Sequence, residues 1–217
     1  MYISKVVVKN FRNFHNLDIE FQDGLNVVVG PNNVGKTNFM RIINFLEVDP
    51  NWDATIDDFN KYVLDNDIET LKNTPPTIEI EYTIEHDLNF KDEDSAFSKL
   101  SAILVFDSET GKLDENQDGT VRLIGKVSLK YEYDVREIDE YKKEMSTISD
   151  FKGIYQVLSK LQENFKWNFY NTTTQQIVDR KVVNNIFEID KIDAPRIIDK
   201  LTDNSKKYVN EKIKEKN

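Results

Sequence analysis

Gly24-Leu-Asn-Val-Val-Val-Gly30-Pro-Asn-Asn-Val-Gly35-Lys-Thr-Asn38 is the stretch on which the reading of this sequence turns. Leu25 to Val29 form a short apolar run, which predicts a buried strand. Gly30 to Thr37 then match the pattern G-x-x-x-x-G-K-T without a mismatch. The spacing has a physical reason. Two glycines let the backbone curl until successive N–H groups point at phosphate oxygens. A helix starting at the loop's end adds its partial positive charge. Lys36 would reach the outer phosphates, and the Thr37 hydroxyl would bind Mg²⁺. The right-hand flank agrees: Phe39, Ile42, Ile43 and Leu46 recur at i, i+3, i+4 and i+7, one face of a helix. Asp49-Pro50 reads as its stop.

Outward from that stretch, residues 2–11 are rich in Val and Ile and read as a strand. Leu17, Ile19 and Phe21 alternate with Asp18 and Glu20, a second strand that ends at the turn signal Gln22-Asp23-Gly24. Residues 50–76 read as a loop-rich acidic insertion with one short helix. Ile78, Ile80, Tyr82 and Ile84 alternate with polar residues, and Val121 to Tyr133 keep period two. Each has one apolar and one polar face, which suits an antiparallel sheet with one wet side. Residues 101–106 read as another strand and 108–119 as a loop. Phe151, Ile154, Tyr155, Leu158 and Leu161 give a helical period. Residues 183–189 read as a strand, and the tail from about 196 as a charged helix. The expected fold is α/β: a P-loop NTPase lobe with an added antiparallel β section and a helical C-terminal segment. The parts are a strand–loop–helix core over 1–48, the β section over 77–134, and a mainly helical 136–217 with a strand near 183–190.

Composition narrows the function classes. The chain has 217 residues with 29 Lys+Arg against 39 Asp+Glu, a net charge of −10, and no Cys. An acidic chain is a poor autonomous nucleic-acid binder, because phosphate affinity needs clustered positive charge. The absence of Cys removes disulfides, thiolate zinc sites and cysteine nucleophiles. No apolar run is long enough to span a membrane, and residues 1–10 are too charged for a signal peptide. A soluble cytoplasmic protein is expected.

The stretch Val8-Lys-Asn10-Phe-Arg12-Asn13-Phe14, then Leu17-Asp-Ile-Glu-Phe21, then Gly24 to Asn38 resembles the N-terminus of the SMC/RecF-like branch of ABC-type ATPases, an AAA ATPase domain. Within that branch it is most similar to the overcoming-lysogenization-defect (OLD) ATP-dependent endonucleases, a family that includes an antiviral defence nuclease. The resemblance covers about residues 1–47. The segment Ile192-Asp-Ala-Pro-Arg196 fits the family layout more weakly. The resemblance implies that Gly30, Pro31, Asn32, Asn33, Val34, Gly35, Lys36, Thr37 and Asn38 hold ATP, with Mg²⁺ on Thr37. It places Arg12 and Asn13 near the nucleotide, although both read equally as a polar strand end on the surface. It implies a dimer of heads with ATP sandwiched between them, and DNA as a partner of the full-length protein. Asp57 and Asp58 fall where the family often places a residue near the metal, but here they read as a solvated acidic loop.

What the family needs and this chain lacks is equally informative. No signature Ser-x-Gly and no clear Walker B strand are identifiable, and neither is a catalytic residue. Ala102-Ile-Leu-Val-Phe-Asp107 imitates a Walker B, but it precedes a loop and a long strand and is read with the β section. No acidic TOPRIM nuclease domain is present. The expectation is therefore an N-terminal part of a longer protein. It would be an ATP-binding head that regulates DNA cleavage by a domain elsewhere, with slow or absent hydrolysis by residues 1–217 alone. Two alternatives stand beside it. One is a RecF/SMC-type repair or chromosome-maintenance ATPase without nuclease. The other is a truncated nucleotide-binding module without turnover. A GTPase fits poorly: Asp190-Lys-Ile-Asp193 has Asp where the base-reading motif needs Asn or Thr, and Asp150-Phe-Lys-Gly153 opens a helix. His15 and His86 read as surface or turn residues, and Trp52, Trp167 and Tyr170 as packing aromatics. The Lys-rich tail, residues 203–217, reads as a solvated helix face.

Overall fold

The structure, a computed structural model, describes residues 1–46, 54–88, 93–106, 114–115 and 121–187. The chain starts with β1 (Tyr2–Phe11) and β2 (Phe14–Glu20), an antiparallel ribbon in which Val6 faces Ile19 and Val8 faces Leu17. The phosphate loop then leads into α1 (Lys36–Asn44). Two short helices follow, α2 (Lys61–Asn66) and α3 (Ile68–Asn73), each capped by an Asn or Asp side chain that accepts a first-turn N–H. Next come β3 (Ile78–Leu88), α4 (Glu93–Leu100), the two-residue β4 (Asp114–Glu115) and the long β5 (Val121–Tyr133). The remainder is α5 (Ile138–Met145), α6 (Phe151–Lys160), β6 (Phe165–Asn171), β7 (Ile177–Val178) and α7 (Arg180–Asn184).

Among the described residues the strands form one sheet in the order β2-β1-β3-β5-β6-β7, with β4 beside β5, and every pair is antiparallel. Period-two patterning decides which face is dry. Val6, Val8, Ile78, Ile80, Tyr82, Ile84, Leu123, Val127 and Leu129 are buried. Their neighbours form charged ladders on the other face, such as Lys5–Asp18 at 2.9 Å and Arg122–Asp87 at 2.9 Å. Each such ladder pair contributes little, about 0–1 kcal/mol. Helices cover the dry face. Two tyrosines tie the sheet to the elements over it, each with its ring in the core and its hydroxyl on a carbonyl: Tyr82 donates to Ile42 at 2.6 Å and Tyr131 to Ala54 at 3.1 Å; within the helical layer, Tyr141 of α5 donates to Leu71 of α3 at 2.5 Å. The first of these hangs α1 on β3. Trp167 packs against Phe45 and Tyr131, at 4.8 and 4.9 Å between ring centroids, as a packing aromatic should.

Several elements differ from the expectations. Residues 25–29 are not a strand: Leu25 is 91% and Val29 82% exposed. A strand needs a ladder partner for its N–H and C=O groups, and this segment has none among the described residues. The insertion holds two α-helices and a 3-10 turn at Ile56–Asp58, more helix than expected. Residues 101–106 follow α4 as a turn and meet the sheet through an isolated bridge, Leu104 to Gly125, and through the Asn171 amide, which donates to the Ala102 carbonyl at 2.9 Å. There Gly125 lets Ile103 close on β5, since a Cβ would lie 2.9 Å from its Cδ1. Residues 165–171 and 177–178 are strands inside the region expected to be mainly helical. Residues 180–184 are a helix that runs into the start of the strand expected over 183–189; Asp179 caps it by accepting the Lys181 N–H at 2.7 Å. The Asp49-Pro50 stop, Trp52, Asp107, most of the 108–119 loop, Asp190–Asp193, Ile192–Arg196 and the tail lie outside the described residues.

Candidate nucleotide-binding site

The site begins with the turn between β1 and β2. Asn10 and Arg12 both have positive φ, 63° and 49°, which swings the Arg12 and Asn13 side chains out of the ribbon. The Asp58–Asn60 segment fixes this turn. The Arg12 N–H donates to the Asp58 carbonyl at 2.8 Å, the Asn60 N–H to the Asn10 carbonyl at 2.9 Å, and the Asn60 side-chain amide to the Arg12 carbonyl at 2.6 Å. Asp58 is only 2% exposed, so its charge needs partners. One carboxylate oxygen takes Arg12 Nε at 2.7 Å, and the other takes the Thr55 N–H at 2.8 Å. Asp58 is therefore a buried structural anion, which corrects the expectation of a solvated loop; Asp57 beside it is exposed as expected.

The turn carries this order to the phosphate loop. Arg12 Nη1 donates to Asn38 Oδ1 at 2.9 Å, Asn38 Nδ2 to Asn13 Oδ1 at 2.8 Å, and Asn13 Nδ2 to the Val34 carbonyl at 3.2 Å. A continuous chain of bonds thus runs from buried Asp58 through Arg12, Asn38 and Asn13 to the loop. These bonds bring Arg12 and Asn13 against the loop.

The loop itself is shaped by its glycines. Gly35 has φ 104°, and a Cβ there would lie 2.3 Å from Asn13 Nδ2, so only glycine fits. Asn33 also takes a left-handed conformation, φ 65°. Gly35 is the N-cap of α1. It provides no side-chain cap, and the first turn of the helix carries no acidic residue. The leading N–H groups of α1 are thus left for an anion. Lys36 Nζ lies over the loop, bonded to the Gly30 and Pro31 carbonyls at 2.6 and 2.5 Å. The Thr37 side chain is exposed at the mouth. A glycine cradle without room for a Cβ, an uncapped helix start and one ammonium fit a triphosphate. Thr37 would supply an oxygen to its Mg²⁺, the hard cation that screens the phosphate charge.

His15 and His86 are not brought together. His15 stacks on Tyr62, and His86 lies within β3 opposite Leu123. No cluster of three metal-ligating side chains occurs among the described residues. Tyr170 lies on the charged face of the sheet, where its hydroxyl donates to Glu132 and Lys130 sits over its ring at 5.3 Å. Sequence reasoning missed the roles of Asp58 and Asn60. The Thr55-x-x-Asp58 cap pattern was the one local signal, and nothing local pointed to Arg12. No helix among the described residues is long and apolar enough to cross a membrane.

The first 46-residue match among curated proteins is to the DNA replication and repair protein RecF of Streptococcus uberis, 50% identical over 46 residues, which is 21% of this chain and 13% of that protein. RecF of Bacillus cytotoxicus is 46% identical over 46 residues, 12% of its length. The matched stretch is thus a small part of these relatives. A solved structure described as "Structural biochemistry of ATP-driven dimerization and DNA stimulated activation of SMC ATPases" aligns over 86% of this chain and 77% of that chain, at 16% identity and a TM-score of 0.39. The family model for the AAA ATPase domain matches residues 1–217. With its phosphate loop, its uncapped helix and this match, the chain belongs to the AAA ATPase domain family.

Proposed function

We propose that this chain is the nucleotide-binding head of an ATPase that acts on DNA. Mg·ATP binds at Gly30–Asn38, and binding controls the pairing of two heads. The observation that carries the reading is the chain of bonds from Asp58 to the Val34 carbonyl, which holds the glycine-shaped, uncapped loop. A loop already shaped by such bonds binds an anion with a smaller cost of ordering. Lys36 would leave the two loop carbonyls for the outer phosphates, and Thr37 would hold Mg²⁺. Arg12 already bonds Asn38 and would stand beside the phosphates as a second positive charge.

The RecF relatives support a role in DNA repair or replication. The OLD-like reading, in which the same head gates a DNA-cleaving domain elsewhere in the protein, rests on the N-F-R-N-F strand and the Asn-containing loop. The two readings share this site and differ only in what the head controls. Titration calorimetry with Mg·ATP tests the shared part. Saturable binding to the wild type that Lys36→Ala abolishes supports the site, and equal binding by both proteins would remove it. Turnover by this chain should be slow or absent. Ordinary ATPase rates that disappear in Lys36→Ala would contradict that expectation.

A further inference from the structure

The two ends of the sheet are finished differently. One end, β7, is two residues long, and Asp179 turns the chain into α7 directly after it. The other end, β2, is seven residues long, contains no proline and keeps an unbroken register against β1. Its bonding direction is fixed by the Phe21 N–H, which donates to the Ser4 carbonyl at 2.8 Å. Bonding alternates along a strand, so Leu17 and Ile19 also turn their backbone groups toward β1. The N–H and C=O groups of Asn16, Asp18 and Glu20 therefore face away from the sheet, and no described residue bonds them. An open edge of this length is a template for another strand. The side chains beside it say which kind. Leu17 and Ile19 are only half-buried on the dry side, an apolar ledge along the opening. Asp18 and Glu20 stand on the other side, 59% and 80% exposed, and share one cation, Lys5, at 2.9 and 3.9 Å. The edge is thus net negative, on a chain of charge −10. A second copy would bring the same acids to it. In the pairing centred on Asp18 that carboxylate meets its own copy, and like charges directly opposite destabilise a ladder.

We propose that β2 takes an extended basic segment of a partner protein as an added strand. Lys or Arg side chains of that segment lie against Asp18 and Glu20, and its alternate apolar side chains cover Leu17 and Ile19. Main-chain bonds to Asn16, Asp18 and Glu20 supply affinity, and the alternation of charge and apolar surface selects the partner. The edge lies in the β1–β2 ribbon and uses no residue of the phosphate loop, so the proposal does not depend on the phosphate-site reading.

The probe is a fluorescent, end-capped peptide of alternating Lys and Val, seven residues long and starting with Lys. Its binding to the full chain is read by anisotropy. In the proposed pairing the lysines lie opposite Asn16, Asp18 and Glu20, so lysine N–H groups enter the ladder and valine N–H groups point outward. N-methylation of the lysine amides should weaken binding roughly tenfold or more, the effect of losing ladder hydrogen bonds. N-methylation of the valine amides, at the same peptide charge, should leave binding unchanged. The double variant Asp18→Lys, Glu20→Lys should lose the peptide and bind its counterpart of alternating Glu and Val. Lys36→Ala should bind the Lys–Val peptide as the wild type does. Equal binding of the two methylated peptides to the wild type would reduce the contact to charge alone and overturn the proposal. Failure of the unmethylated peptide to bind the wild type would overturn it as well.

Discussion

The central strands and the limb that carries the phosphate loop are equally apolar and are held in opposite ways. In β3, Ile78, Ile80, Tyr82 and Ile84 are fully buried, and the strand is laddered on both sides, to β1 and to β5. In the limb, Leu25, Val27, Val28 and Val29 are exposed, with no ladder partner among the described residues. Where it leaves β2 the limb is held by the Phe21 N–H on the Ser4 carbonyl at 2.8 Å, and it is held again at its far end. There α1 packs Phe39 and Ile42 into the core, and side chains from a different turn grip the loop. Apolar sequence alone therefore does not bury a segment; its backbone must also find partners. A loop lacking a sheet around it can still be shaped, provided side chains supply the bonds.

Substitutions can break this contrast in order of size. Ile80→Ala, which opens a cavity in the laddered region, should cost about 2–5 kcal/mol in denaturant unfolding. Arg12→Ala leaves the carboxylate of Asp58 buried without its guanidinium. It should cost on the order of 2 kcal/mol, less than a fully buried pair because the Arg12 side chain is 28% exposed. It should also weaken Mg·ATP, since the tether to Asn38 goes with it. Adding Asp58→Asn to Arg12→Ala should recover part of the stability, because a neutral amide costs less to bury than a lone charge. Val27→Ser in the limb should change stability by under about 0.5 kcal/mol, although it is as drastic chemically as the change in the core. A loss comparable with Ile80→Ala would mean the limb is packed after all.

The smallest effect concerns pH and the charged face of the sheet. Burial alone would raise the carboxyl of Glu79, but Lys9, Lys130 and the Ser128 hydroxyl together hold it below its usual value. A lowered folded value means this ladder stabilises above the ordinary glutamate range, and that stability is lost as pH falls through the lower folded value. Wild-type stability should therefore fall more steeply with acid than that of Glu79→Gln, by a few tenths of a kcal/mol, as expected for a half-exposed ladder. Parallel melting curves from pH 7 to pH 3 would show whether the difference exists.

The sheet was legible where alternation ran long. β3 and β5 were read close to their limits because long period-two runs admit few alternatives, and β1 because it is rich in Val and Ile. β6 shows how a short version is lost: Phe165, Trp167 and Phe169 alternate, but the helical period of α6 just before them dominated the window. The end of α7 was read as the start of a strand over 183–189, from the apolar residues between Val183 and Ile189, although Asp179 stood in place as a helix cap. In the site, the glycines, Lys36 and Thr37 stood out because they match the G-x-x-x-x-G-K-T spacing of a phosphate loop. Arg12 and Asn13 were suspected, but their bonds to Asn38 and Val34 span more than twenty residues. Asp58 could not be placed at all without knowing that the Asn10–Arg12 turn folds against it.

Hydrogen exchange with and without Mg·ATP tests the central claim most directly. The claim is that a prebuilt loop, held by the Asp58–Arg12–Asn38–Asn13 chain, receives the nucleotide's phosphates. The account predicts that ATP slows exchange at the amides of Asn33 to Asn38, leaves Leu25 to Val29 fast, and slows no amide of the loop in Lys36→Ala. Unchanged exchange at Asn33 to Asn38 under saturating Mg·ATP would contradict it.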